Sequence, residues 1–261
     1  VLNLVTSEGS TKDYTTTTEK PVPLKNEPVL TGQVINRKGE PVDLSNADEY
    51  AREIVSQQKT QKEIVKGEDG IERTKITVTM DLAPDHIKIR ASKYENEINK
   101  YASHFNLPVE LVYAVIHTES YFNPKAKSSA PAYGLMQLVP KSGARDAYKY
   151  VYNRDRILPA NYLYKPENNI ELGTAYLQIL MTRYFMKVND PRTRILCAIA
   201  SYNTGAGNVA RAFTGKTNPK KSITQINKMS YNECYNFLRE YLPYSETKDY
   251  LQKVTRRMVM Y

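Results

Sequence analysis

Tryptophan is missing from this chain, and cysteine and histidine are scarce, with two and three residues in 261. Cys197 and Cys234 match no metal-site spacing, so zinc-ribbon chemistry is excluded. They read either as two buried thiols or as one disulfide formed in an oxidising compartment. His86, His104 and His117 are scattered and give no metal cluster. No apolar run is long enough to span a bilayer, and no signal peptide is visible. Because the chain opens on Val1 rather than Met, the expectation is a processed or truncated form whose targeting segment or lipid anchor lies elsewhere.

What is present is unevenly placed. Hydrophobic residues make up 41%, as in a soluble globular protein, and the length suits one large domain or two ordinary ones. Through Arg90 there are 13 basic and 15 acidic residues; from Ala91 onward there are 24 and 13, so the net +9 belongs to the second part. Of the 21 tyrosines, only Tyr14 and Tyr50 precede Ala91. A basic, tyrosine-rich surface suits a polyanion or a sugar polymer carrying carboxylates, and a generally basic solvated surface is the plainer reading. No zinc-finger or RNA-recognition signature points to nucleic acid.

Local patterns divide the chain at about Pro84. Residues 1–23 are polar, threonine-rich and broken by prolines, which predicts an extended or disordered lead-in. Residues 24–84 predict a small α+β domain. "VLTGQVINRKGEPVDL" reads as strand–turn–strand around Lys38-Gly39, and "SNADEYAREIVSQQ" as a helix capped by Ser45 or Asn46. "KEIVKGEDGIERTKITVTMDL" reads as a hairpin around Asp69-Gly70. Residues 85–261 predict an all-α domain of about seven helices. One is long and amphipathic, beginning at "PDHIKIRASKYENEINKYASHF", and another begins at "GLMQLVPKSGARDAYKYVY".

The stretch "LPVELVYAVIHTES" carries the first chemical signal. Residues four apart share a helix face, so Leu111, Val115 and Glu119 form one row. Glu119 therefore extends the apolar stripe. Burial and the negative end of the helix both disfavour its charged form, and a carboxylic acid protonated near neutral pH can donate to a leaving oxygen. The alternative is a glutamate that turns outward at a fraying helix end.

"ESYFNP" is followed by "YGLMQ" and later by "SYNTGAG". In this order and spacing the segments resemble the lytic transglycosylases of the goose-type lysozyme superfamily, in a branch with a small domain ahead of the catalytic one. The resemblance covers about Tyr94 to Val254 and is weaker over "LTGQVINRKGEPV". It implies a lysozyme-like catalytic domain in which Glu119 is the one catalytic carboxylate. Ser120 matches the second residue of the Glu-Ser pair, and Ser128 a serine able to hydrogen-bond the acid. Gly134, Leu135, Met136 and Gln137 match the Gly-Leu-Met-Gln segment, whose glutamine lines the sugar groove. Tyr202 and Asn203 match an Ala-Tyr-Asn segment whose tyrosine orients the glutamate. Glu246, in "LPYSETKDYL", matches a residue facing the substrate's peptide side. Ser201 stands where alanine is usual, and Thr204 interrupts the usual Asn-small-Gly run. Taken singly, Leu135 and Met136 read as core and Tyr202 as packing.

Glycosidases generally use two carboxylates. With one, the resemblance implies an intramolecular route on peptidoglycan glycan strands. Glu119 protonates the bond between N-acetylmuramic acid and N-acetylglucosamine, then deprotonates the muramoyl C6 hydroxyl, which closes a 1,6-anhydro ring. No cofactor is implied. The expected setting is the periplasmic face of a Gram-negative envelope, anchored to the outer membrane as a lipoprotein. The alternatives are a goose-type-lysozyme-like muramidase using water, and a non-catalytic peptidoglycan-binding module.

Overall fold

The computed structural model describes residues 30–56, 60–67 and 69–261. The lead-in expected over residues 1–23 lies outside them. The described chain is mostly helical with one two-stranded sheet, and it divides into two compact units, one ending at Ser92 and the other running Lys93–Tyr261.

In the first unit, helix α1 (Ala47–Ser56) places Ala47, Tyr50 and Ile54 on one face, where they meet Val34 and Val42 in a small core. Asn46 directly precedes this helix, its carbonyl accepts the Tyr50 N–H at 3.0 Å, and its Oδ1 accepts the Asp43 N–H at 2.9 Å. Strands β1 (Thr60–Lys66) and β2 (Glu72–Val78) form the expected antiparallel hairpin, with Lys66 opposite Glu72 and Gly70 at φ +76° in the turn. The strand–turn–strand expected around Lys38-Gly39 is reduced to single bridges, Ile35 to Pro41 and Val34 to Leu82. Asn36 Oδ1 collects the N–H groups of Lys38 and Glu40, each at 2.9 Å, which closes the turn tightly. Pro41 then has no N–H for a ladder. Helix α2 (His86–Ser92) ends the unit. It was expected to continue as one long helix. Instead Tyr94, at φ −119° and ψ 9°, interrupts it before α3 (Glu95–His104).

The second unit holds ten α-helices rather than about seven, and a π-helical turn, Leu180–Tyr184, directly follows the helix that ends at Ile179. After α3 come α4 (Val109–Ser120), α5 (Gly143–Tyr152), the single turn α6 (Ala160–Leu163), α7 (Pro166–Ile179), α8 (Pro191–Thr204), α9 (Ala206–Thr214), α10 (Pro219–Ile226), α11 (Tyr231–Tyr241) and α12 (Ser245–Met258). Their starts are written in the sequence. Pro166, Pro191 and Pro219 open helices where a missing N–H costs nothing, and Ser230 with Glu233 forms a capping box on α11. Leu111, Val112, Ala114, Val115 and Ile116 are all 0% exposed, so α4 is buried almost all round, between α12 and α3. Each such aliphatic side chain contributes roughly 1.5–3 kcal/mol by leaving water. On α8, Leu196 to Ala200 are equally buried. Cys197 is among them and lies against Cys234 of α11 as a free thiol. The hydrogen bond between the two thiols, together with burial, raises the pKa of Cys197. Among the described residues, no helix is long and apolar enough to cross a membrane.

The helix expected from "GLMQ" onward begins only at Gly143. Gly134 at φ +79° and Gln137 at φ +47° fold this segment into a tight loop, bridged from Tyr133 to Leu138. Its buried Leu135 and Met136 imitate a helical stripe while the backbone runs otherwise.

Candidate active site

Helix α4 runs through Glu119, as the apolar row required, and Leu111 and Val115 on that row are fully buried. Glu119 itself is partly open to solvent, which leaves a path for a proton donor or acceptor to reach it. Its pKa is pushed up from 4.5 to about 7, chiefly by burial. The Tyr250 hydroxyl, donating to Glu119 Oε1 at 2.7 Å, pulls the other way, and the negative charge of Glu246 adds a further upward push. A carboxyl group balanced near 7 can give a proton and take it back.

Tyr250 is the functional residue that sequence reasoning missed. It lies on the inward face of α12 with Thr247, Leu251 and Val254, and its ring is buried. Burial and the adjacent carboxylate raise its own pKa well above 10, so it stays a neutral donor. The signal was thin: one tyrosine among many, in register with the buried face of a C-terminal helix.

The Tyr202 hydroxyl is engaged beside Glu119 rather than on it. It donates to the Met136 carbonyl at 2.8 Å, and the hydrogen bond on Glu119 comes from Tyr250. Tyr202 is nonetheless close enough for the charge on Glu119 to raise its pKa, after burial. The Ser128 hydroxyl faces the Ala130 carbonyl of its own loop.

The remaining predicted residues form the frame. Ser120 Oγ donates to the Leu135 carbonyl at 2.7 Å and to Ile116 at 3.2 Å, fastening the end of α4 to the Gly-Leu-Met-Gln loop. A Cβ on Gly134 would run into the Asn169 amide and the Leu163 carbonyl, and φ there is already left-handed, so only glycine fits. Gln137 donates its amide N–H groups to Ala126 O at 2.9 Å and Gly134 O at 2.8 Å, which holds the loop. Asn203 Oδ1 accepts from the Thr247 hydroxyl at 2.7 Å, joining α8 to α12 one turn before Tyr250. Glu246 is exposed. Among the described residues, no cluster of three or more His, Cys, Asp or Glu could hold a metal ion.

Asn169 organises this frame and was not singled out from the sequence. It is fully buried on α7. Its Oδ1 accepts from Met136 N at 2.7 Å, and its Nδ2 donates to Tyr133 O at 2.8 Å and Leu163 O at 2.7 Å. Its place in the row Asn169–Gly173–Leu177, on an apolar helix face, was the available sign. Asn169→Ala should lower unfolding free energy by about 3 kcal/mol, because three buried backbone groups lose their partner together. Urea denaturation measures this, and a loss under about 1 kcal/mol would mean the loop is held otherwise.

A family model described as Transglycosylase SLT domain matches residues 96–225, a span that includes Glu119, Gln137 and Tyr202 but stops short of Tyr250. The chain is 32% identical over 240 residues to membrane-bound lytic murein transglycosylase C of Actinobacillus succinogenes, covering 92% of this chain and 65% of that one. The protein of the same name from Photorhabdus laumondii is 34% identical over 247 residues, covering 94% and 66%. The chain thus spans slightly less than two thirds of the length of these relatives. The crystal structure of the 70 kDa soluble lytic transglycosylase of Escherichia coli aligns with a TM-score of 0.48 at 26% identity, over 63% of this chain and 23% of that one.

Proposed function

The chain belongs to the transglycosylase SLT family, and from that premise we propose that it is a peptidoglycan lytic transglycosylase with Glu119 as its acid and then its base. The observation that carries the reading is the half-buried carboxyl of Glu119, with its pKa near 7 and a neutral tyrosine hydroxyl at 2.7 Å. Glu119 gives its proton to the oxygen linking N-acetylmuramic acid to N-acetylglucosamine, and the C1–O bond breaks. The muramoyl N-acetyl group steadies C1. The Glu119 carboxylate then takes the proton of the C6 hydroxyl, whose oxygen closes on C1 as the 1,6-anhydro ring. The carboxyl is restored and no water is consumed. Because attack is intramolecular, the effective concentration of the nucleophile is high.

In this reading Lys93–Tyr261 is the lysozyme-like catalytic domain, and the preceding residues form a small α+β domain of their own. Gln137, Asn203 and Glu246 line the substrate path. The basic charge of the second part meets the lactyl and peptide carboxylates of the polymer. The names of the relatives support an envelope enzyme associated with the membrane on the periplasmic side. Purified sacculi should clear, and the soluble fragments should carry no reducing end, so borohydride leaves their masses unchanged. Fragments that gain two hydrogens on reduction would point to hydrolysis instead.

The raised pKa sets a pH dependence. The first step needs protonated Glu119, so turnover at saturating substrate should fall as pH rises through about 7. A profile flat to pH 9, about two units above that value, would contradict a carboxylic acid as the proton donor.

A polypeptide starting at Lys93 should fold on its own and keep turnover within about tenfold, since Glu119 and its partners all lie beyond it. A thermal melt and product analysis check this. An aggregated product would mean that the two units share a core.

A further inference from the structure

The end of α4 is gripped from behind by the last turns of α12. Arg257 Nη1 donates to the His117 carbonyl at 3.2 Å, and Nη2 donates to the Tyr121 hydroxyl at 2.9 Å. The guanidinium lies 4.9 Å from the centre of the Tyr121 ring. The His117 carbonyl also receives the Tyr121 N–H, at 3.3 Å, which closes the helix. Beyond Glu119 and Ser120 the backbone is left-handed at two successive residues that carry a Cβ, Tyr121 at φ 51° and Phe122 at φ 59°. Such a turn persists only where its surroundings hold it.

The surroundings are specific. The Phe122 ring is buried, its centre 5.8 Å from that of His117 and 6.2 Å from that of Tyr261. Tyr261 stacks on Tyr113 at 4.9 Å, and its hydroxyl lies 3.0 Å from His117 Nδ1. Burial first, and the Arg257 charge second, push the His117 pKa down to about 4, so the imidazole is neutral at neutral pH. Arg257 follows Tyr250 by two helical turns. One face of α12 therefore brings a hydroxyl to Glu119 and a guanidinium to the turn behind it.

We infer that Arg257 is a positioning residue for Glu119: it locks the left-handed turn that ends α4 and so keeps the carboxyl aligned with the Tyr250 hydroxyl. The inference rests on Glu119 being the acid–base group. Arginine suits the task because its planar fork reaches a carbonyl and a phenol at once while its face covers a ring. A lysine ammonium cannot make that contact set.

The test uses the full chain with Arg257→Met and Arg257→Lys, with turnover and KM measured on soluble glycan fragments. The Met variant should lose on the order of tenfold or more in kcat while KM stays within about twofold, because misalignment damages the reacting geometry more than binding. The Lys variant should recover part of that loss. Combining Arg257→Met with Tyr250→Phe should cost less than the product of the two single losses, since both act on one alignment. Unchanged kcat, or losses that simply multiply, would overturn the inference. A crystal structure of Arg257→Met decides the point independently of activity. Tyr250 parted from Glu119 is the expected result, and an unmoved turn with the 2.7 Å contact intact would overturn the inference. If the Met variant does not fold, the Lys variant is read in both assays. A wild-type chain that forms no anhydro ends would sink the functional reading alone, and the crystal structure would still decide the role of Arg257.

Discussion

Glu119→Gln should reduce formation of anhydro ends by about 10³-fold or more while making the protein more stable above neutral pH. The amide has the same shape and can still accept the Tyr250 hydroxyl, but it cannot hold and return a proton. The gain in stability follows from the raised pKa. Below 4.5 the carboxyl is protonated in the folded and unfolded chains alike, and burial carries little penalty. Between 4.5 and about 7 the unfolded chain ionises first, so the folded state must retain a proton and loses stability as pH rises. Above about 7 the full penalty is in place. The shift corresponds to about 2–3 kcal/mol after allowance for the partial exposure of the group. Denaturant melts near pH 8 should therefore favour Glu119→Gln by that amount, and melts near pH 4 should show the two proteins equal within about 0.5 kcal/mol. A variant that is inactive but no more stable at high pH would mean that Glu119 is not held near 7.

Tyr250→Phe should slow turnover by about 10- to 100-fold, the equivalent of roughly 1–3 kcal/mol for a hydrogen bond to a charged group in a buried site. The Tyr250 hydroxyl favours the ionised carboxylate, so its removal should also move the pKa of Glu119 higher and carry the falling limb of the pH profile with it. Tyr202→Phe provides the contrast. It leaves the Met136 carbonyl without its partner, so it should lower stability by about 1–2 kcal/mol and change turnover less than Tyr250→Phe does. Steady-state rates and urea melts on both variants check the assignment. The opposite ranking in turnover would return the orienting role to Tyr202.

These two tyrosines also show how far the sequence could be read. Helix α4 and the inward direction of Glu119 were legible because four-residue periodicity is a local property, and the run from Leu111 to Glu119 contains nothing that competes with it. The acceptor that the Tyr202 hydroxyl meets was not legible. Which oxygen a hydroxyl meets depends on packing between α8 and the Gly-Leu-Met-Gln loop. Tyr250 lies 131 residues from Glu119, and a pairing across that span leaves no mark in a single sequence. The loop misled in another way. Leu135 and Met136 look like a helical stripe, whereas Gly134 and Gln137 at positive φ, held by Asn169, decide the backbone. The first unit was less legible than the second. Its turns follow residue type, but how far a turn continues into a ladder depends on partners distant in sequence, such as the Val34–Leu82 bridge.

The central claim is that one carboxyl group cleaves the glycan with no water entering the product. Digestion of purified sacculi in water labelled with heavy oxygen, followed by mass spectrometry of the released fragments, tests it most directly. The expected fragments end in 1,6-anhydromuramic acid, are lighter than the hydrolysed species by one water, and carry no label. Fragments with reducing ends that contain the heavy oxygen would show that water attacks C1, and would contradict the claim.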